Sequence, residues 1–271
     1  MSSSPLFHRL LLTGAQGRLG GVLRPRLRDW ATVLRVSDRV PLSPAVHEGE
    51  EDLPCDLADR AAVLALMEGV DAVVHMGGIS REDRFDAILQ SNIVGVFNLY
   101  EAARKHGVRR VVFASSNHVT GFYRQDETIR PDAARRPDGL YGVSKCFGED
   151  LSRYYFDRFG IETVCLRIGA SFPEVRDRRM LATYLSHDDL TQLVRCALTA
   201  PRVGHCVIYG VSGNKHVWWD NRQAAHLGFV AKDSSEPMRA TLEANTPEPD
   251  PQDPAAIYQG GGFVVMGPFD D

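Results

Sequence analysis

The chain contains no stretch approaching the ~20 consecutive apolar residues of a membrane-spanning helix, so no membrane association is expected. Its opening, Met1-Ser2-Ser3-Ser4-Pro5, lacks the apolar core of a signal peptide. The five cysteines (Cys55, Cys146, Cys165, Cys196 and Cys206) form no C-x-x-C pair and no Cys/His cluster with zinc spacing, so no metal site is expected. An odd, scattered set of thiols fits a reducing cytoplasm and excludes a disulfide framework. Net charge is −4, and no basic field favours nucleic acid. There is no internal repeat. What remains is a 271-residue chain, 44% hydrophobic and 24% charged, with the composition of a globular protein. That length suits one large α/β domain, or one domain with a small cap.

Strand-like and helix-like segments alternate along it. Apolar or β-branched runs predict strands at Arg9–Thr13, Ala31–Val36, Leu53–Asp56, Ala72–His75, Arg110–Ala114, Glu162–Ile168 and Cys206–Tyr209. Pro54 marks the third of these as an edge strand, because proline cannot donate to a central ladder. Helices are predicted at Arg18–Arg28, Asp59–Met67, Arg84–His106, Tyr141–Phe159 and Asp188–Thr199. Pro25 should kink or shorten the first. Such alternation implies a doubly wound parallel sheet of Rossmann type, an α/β fold with strand order 3-2-1-4-5-6-7. A ligand crevice is then expected at the carboxyl ends of the strands. The loops 125–138 and 171–179 fall on that side. Prolines 237, 247, 249, 251 and 254 predict a largely extended or irregular stretch over 231–254. The apolar end, Gly260-Gly261-Gly262-Phe263-Val264-Val265, is suited to docking on the body or on a neighbouring subunit. The expected organisation is one domain over 1–271, with 171–187 and 211–271 supplying a small substrate cap and tail.

The first strand runs into Gly14-Ala15-Gln16-Gly17-Arg18-Leu19-Gly20, a G-x-x-G-x-x-G turn that opens a helix. Glycine lets the backbone approach a pyrophosphate, and the helix N-terminus offers N–H groups and the positive end of its dipole. Asp38 closes the second strand, where a carboxylate accepts hydrogen bonds from ribose hydroxyls and repels a 2′-phosphate. This favours NAD over NADP, with Arg18 and Arg39 as the opposing signal. Asp56, beside Leu57, suits either the adenine amino group or the start of the next helix. His75-Met76-Gly77-Gly78 after the fourth strand would let backbone pass close to a cofactor, with His75 itself packed in the strand.

Tyr141 and Lys145 stand four residues apart, hence on one helix face. A free phenol titrates near ~10, too high for a base at neutral pH. A cation ~4 Å away at an effective dielectric of ~20 is worth roughly 4 kcal/mol, about three pKa units. On that arithmetic Lys145 would bring Tyr141 into the range of a general base.

The glycine turn, the acidic strand end and Y-x-x-x-K resemble the extended short-chain dehydrogenase/reductase superfamily. Phe113-Ala114-Ser115-Ser116-Asn117-His118, the run Arg136–Glu149, Ser186-His187-Asp188-Asp189, Trp218-Trp219-Asp220-Asn221 and Gln259-Gly260-Gly261 resemble the uronate dehydrogenase family over nearly the whole chain. That resemblance implies NAD-dependent oxidation of the C1 hydroxyl of pyranose D-glucuronate or D-galacturonate to the aldarolactone. Tyr141 would be the base, Lys145 its partner, and Ser116 the group that orients the reacting hydroxyl. Ser80, Asn117 and His118 would hold sugar hydroxyls, Tyr141 would also touch substrate, and Arg179 would grip the C6 carboxylate. The candidate cofactor contacts are Gly14, Gln16, Gly17, Arg18, Leu19, Asp38, Asp56, Leu57, Met76, Gly77, Gly78, Asn92, Ser115, Tyr141, Lys145 and Ile168. Ser186 and Asp189 have capping-box-like spacing and read as structural. One departure is Gly169-Ala170-Ser171, where the resemblance leads one to expect a serine at 170. The superfamily habit implies a homo-oligomer. Two alternatives remain: a nucleotide-sugar epimerase or dehydratase of the same superfamily, and a non-catalytic dinucleotide-binding regulator.

Overall fold

A computed structural model describes residues 5–42, 47–267 and 269; the opening Met1–Ser4 segment lies outside the described residues. Seven parallel strands form one sheet in the order β3-β2-β1-β4-β5-β6-β7. They are β1 (Phe7–Thr13), β2 (Ala31–Ser37), β3 (Glu50–Asp52), β4 (Ala72–His75), β5 (Arg110–Ser116), β6 (Glu162–Ile168) and β7 (His205–Gly210). The expected fold class and strand order are those observed.

Strand alternation divides the core into two layers. Leu10, Leu12, Leu34, Val36 and Val74 face α1 (Arg18–Leu27) and residues later in the chain, including Leu190 and Leu193. Leu11, Val73, Val111 and Phe113 face the opposite way, with α2 (Arg60–Leu66) and Tyr155. Side chains two apart share a sheet face, so consecutive leucines in β1 serve both layers. Helix α1 ends at Leu27, two residues after Pro25, and passes into a 3-10 turn.

Three expected elements differ. The third strand lies at Glu50–Asp52, ahead of the expected Leu53–Asp56. Glu50 pairs with Arg24 and Arg28, and Glu51 with Arg9 and Arg35, so a charged segment is held at the sheet edge. Pro54 then interrupts the ladder, although Leu53 N–H still donates to Val36 O. The long helix expected at Arg84–His106 is divided into α3 (Phe85–Ile88), a π-helical turn (Leu89–Val94) and α4 (Gly95–His106). Stretch 231–254 is irregular over most of its length, as expected, but not throughout. After α5 (Leu140–Phe159), α6 (Met180–Thr183) and α7 (His187–Thr199), it contains α8 (Glu236–Asn245). Pro237 sits in the first turn of α8, where no N–H is needed, and Arg239 bonds Glu236 and Glu243 along the helix.

The C-terminal segment docks on this chain's own body. After α9 (Pro254–Ile257), Gln259 N–H donates to Tyr123 O and Gly260 N–H to Gly121 O, both at 2.8 Å. The Gln259 side chain is buried, accepting from Trp219 Nε1 at 2.9 Å. The 3-10 turn Gly261–Val265 is thereby carried to the carboxyl ends of β5 and β6.

Candidate active site

Two adjoining cavities open at the carboxyl ends of the strands. One, about 710 Å³, runs from Gly14 past Asp38 and Asp56 to Gly77 and Gly78. The other, about 640 Å³, holds Ser116, Tyr141, Lys145 and Arg179. Gly14, Gly17, Met76 and Gly78 border both. The seam is tight: Gly14 has φ +68°, and a Cβ there would lie 2.6 Å from Gly77 N. Only glycine lets these two backbone turns meet. Gly17 caps α1 with no side-chain bond, which leaves the first-turn N–H groups available to an anion. The cleft therefore fits a dinucleotide across the glycine turn. Among the described residues no group of three or more His, Cys, Asp or Glu could hold a metal ion.

Asp38 is half-buried, and its oxygens accept from the backbone of Gln16 (2.9 Å) and Arg39 (2.7 Å). Asp56 borders the cleft and accepts Ala58 N–H, while the N-cap of α2 is Asp59. Leu57 and Gln16 line the same cleft; Leu19, Met76, Ser115 and Ile168 line the second cavity. The Ser115 hydroxyl is committed to Glu149 at 2.6 Å, leaving its backbone for a ligand. Asn92 lines neither cavity. Its amide accepts from Ile79 N and donates to Ile79 O and Ser144 Oγ, bracing the loop after β4 against α5. The π-helical turn that carries Asn92 thus turns its amide toward the loop after β4 and α5. His75 is fully buried, bonded to Thr13 Oγ1 at 2.7 Å and stacked on Phe113, which is the packed strand residue expected.

Tyr141, Lys145 and Glu149 occupy one face of α5 at four-residue spacing. Glu149 anchors the helix, bonding Ser115 and, through both oxygens, the buried Arg167 at 2.9 Å. Arg167 continues to Tyr209 Oη and Pro131 O. At the other end, Glu82 accepts Leu140 N–H at 2.8 Å and Tyr141 N–H at 2.9 Å. It caps the helix in place of Gly139, which has no side chain to do so.

The electrostatics differ from the sequence-based expectation. Burial pushes the Tyr141 phenol up to about 12, against lowering by a hydrogen bond from Ser116 and by Arg18. Burial also pulls Lys145 down to about 8. The ammonium donates to Ala114 O at 2.9 Å and sits 5.6 Å from the centre of the Tyr141 ring. The two groups share a face and a cavity, and burial is the largest influence on each.

The substrate-side candidates converge. Ser80, Ser116, Asn117, His118, Tyr141 and Arg179 all border the second cavity. Ser116 caps the following 3-10 turn (Asn117–Thr120) through His118 N–H and also bonds Tyr141, so it serves both readings of its position. Arg179 donates Nε–H to Gln259 O at 2.6 Å, and Nη2 to the Asn117 carbonyl at 2.7 Å with the Asn117 amide turned so that its nitrogen meets Ile168 O. Among the described residues Nη1 has no hydrogen-bond acceptor, which leaves part of the guanidinium fork open. Asn117 therefore supports Arg179. Arg178 instead binds Glu248 and the end of α8, and Arg176 packs over Phe172 opposite Arg18. Loop 171–179 reaches the cavity; loop 125–138 does so only through the neighbourhood of Asp138. Ala170 lines the cavity, with its backbone bonded to Thr183 O and Leu185 N. Ser186 caps α7, but Asp189 does not return the bond; it takes Ser212 and the backbone of Lys232 and Asp233.

Sequence reasoning missed Glu82, Asp138 and Phe263. Phe263 stacks on His118, ring centres 3.8 Å apart, and closes the cavity from the tail.

Residues 10–204 match the NAD dependent epimerase/dehydratase family. A uronate dehydrogenase of Pseudomonas putida is 60% identical over 269 residues, 99% of this chain and 100% of that protein. One from Agrobacterium fabrum is 53% identical, over 94% of this chain and 96% of its own. A crystal structure of a uronate dehydrogenase mutant from Agrobacterium tumefaciens, complexed with NAD, superposes with a TM-score of 0.95 at 50% identity, covering 98% of this chain and 100% of that one.

Proposed function

The chain belongs to the uronate dehydrogenases within the NAD dependent epimerase/dehydratase family, and on that premise we propose that it oxidises D-glucuronate or D-galacturonate at C1 with NAD, releasing the aldarolactone. The observation that carries this reading is the meeting of Tyr141, Ser116 and Arg179 on one cavity that adjoins the glycine-turn cleft.

Bound NAD supplies the hydride acceptor and a positive ring. Tyr141 takes the proton of the C1 hydroxyl as general base. Ser116 donates to the phenol oxygen and orients the reacting hydroxyl. Because burial holds the phenol high, ionisation requires positive charge in the cavity, to which Arg18 contributes. Lys145, fixed on Ala114 O, lines the cavity beneath the phenol and is available to a ribose. The open part of the Arg179 fork receives the C6 carboxylate by charge-assisted hydrogen bonds, and Ser80 and His118 hold ring hydroxyls. Holding the sugar at two ends turns binding energy into orientation at C1.

The chain is read as one domain in which 171–187 and 211–271 wall the substrate side, through Phe172, Arg179 and Phe263 among others. Exposed Phe85, Phe97, Val143 and Tyr154 on α3, α4 and α5 support a homo-oligomer. Among the described residues no helix is long and apolar enough to cross a membrane, and a cytoplasmic site of action is part of the proposal.

The test is net reduction of NAD by D-glucuronate and D-galacturonate. Stoichiometric accumulation of reduced cofactor supports the reading. Turnover of a nucleotide sugar with no accumulation would replace it with an epimerase.

A further inference from the structure

His118 and Asp138 form a buried pair at the edge of the catalytic cavity. His118 Nδ1 lies 2.7 Å from Asp138 Oδ2, with the aspartate side chain fully buried. The other oxygen, Oδ1, is buried without a partner, so among the described residues the imidazole is the carboxylate's one side-chain hydrogen bond. The carboxylate is tightly enclosed. A Cβ on Gly121 or on Gly260 would fall 1.9 Å from Oδ2, and those two glycines are bonded to each other. Asp138 cannot swing away without moving the tail.

The imidazole is fixed on its other sides as well. Its face stacks on Phe263 at 3.8 Å and its edge meets Tyr141 at 5.8 Å between ring centres. Two further charged groups act on it, Arg179 and Glu82. Burial, the largest influence, lowers the His118 pKa and favours the neutral ring. A neutral imidazole has one N–H and one lone pair, and its partner decides which nitrogen carries which. An ionised carboxylate only accepts. His118 lines the cavity, and among the described residues Nε2 has no hydrogen-bond partner.

We infer that Asp138 is a positioning residue for the sugar site: it holds the proton of His118 on Nδ1 and so presents Nε2 to the cavity as an acceptor for a ring hydroxyl. The inference rests on the uronate reading. It assigns to the residue just before the cap of α5 a role in substrate recognition that acts through His118.

Two measurements test it. In the unmodified protein, nitrogen chemical shifts of the His118 ring, identified by their loss in His118→Asn, should report a proton on Nδ1 and a bare Nε2. A proton on Nε2 overturns the inference even if Asp138→Asn does not fold. In steady-state kinetics Asp138→Asn should raise KM for uronate about tenfold, the worth of one hydrogen bond near 1.4 kcal/mol, with kcat within about threefold. In a His118→Asn background the same change should cost under about twofold, because coupled residues are not additive. Equal costs in both backgrounds would mark Asp138 as a structural hub and overturn the inference. Failure of the wild-type protein to oxidise uronates would overturn the functional reading alone, since the ring shifts remain readable.

Discussion

The carboxylate of Glu82 accepts the backbone N–H of Tyr141 at 2.9 Å, across 59 residues of sequence. It binds Leu140 N–H as well, so one side chain satisfies two of the open donors at the start of α5. Glu82 lies two residues after Ser80, which lines the cavity. The same contact thus ties the substrate loop to the turn that bears the phenol.

Glu82→Ala should therefore cost about 1–2 kcal/mol of stability, the size of a lost helix cap. A shift of the helix start by ~1 Å should lower kcat about 10²-fold. NAD affinity should change little, because Glu82 lies outside the glycine-turn cleft. Thermal unfolding and initial rates check this; a variant that loses stability with full kcat would separate the cap from the positioning of Tyr141.

The Glu149–Arg167 pair anchors the other end of the catalytic face, with side chains almost wholly buried. Replacing one partner leaves an uncompensated buried charge, at a cost of about 3–5 kcal/mol. Glu149→Leu alone should be that destabilising. Glu149→Leu with Arg167→Met should recover much of the loss, since a buried ion pair adds little over packed apolar groups. Denaturant unfolding of the single and double variants reads the difference; a double variant worse than the sum would contradict it.

Burial is the largest influence on the resting phenol. Tyr141 in the protein alone should titrate near about 12, above the ordinary value of 10.0. Linkage has a definite sign here. A raised phenol pKa leaves stability intact below the unfolded value and removes it as pH rises through the folded one, so this group destabilises between about 10 and 12. Lys145, lowered to about 8 from 10.5, acts oppositely: stability is lost as pH falls from 10.5 through 8. The difference in ultraviolet titration between wild type and Tyr141→Phe should place the phenol above 10, and oxidised NAD should bring it down. A phenol already below 10 without NAD would restore the simple lysine account.

Much of the sheet was legible because its strands are buried on both faces and read as apolar runs. Leu10–Thr13 and Ala72–His75 are examples. The third strand was misplaced because it is an edge strand stabilised by arginine pairs, not by apolar content. Helix α8 was hidden by Pro237, which disrupts a helix interior but suits its first turn. In the site, Gly14, Tyr141 and Lys145 carry local signals of spacing. Glu82 and Phe263 carry none, because their meaning arises only when the chain brings them to Tyr141 and His118. The lysine–phenol arithmetic leaves out burial for the same reason: sequence spacing gives a shared face, not the desolvation that the face imposes.

The most direct test is Tyr141→Phe assayed with saturating NAD and either uronate, alongside NAD binding by fluorescence titration. The account predicts that net NAD reduction falls at least about 10³-fold, the upper part of the range for losing a general base, while the NAD dissociation constant stays within about threefold. Near-wild-type oxidation by the phenylalanine variant would show that the proton leaves C1 by another route.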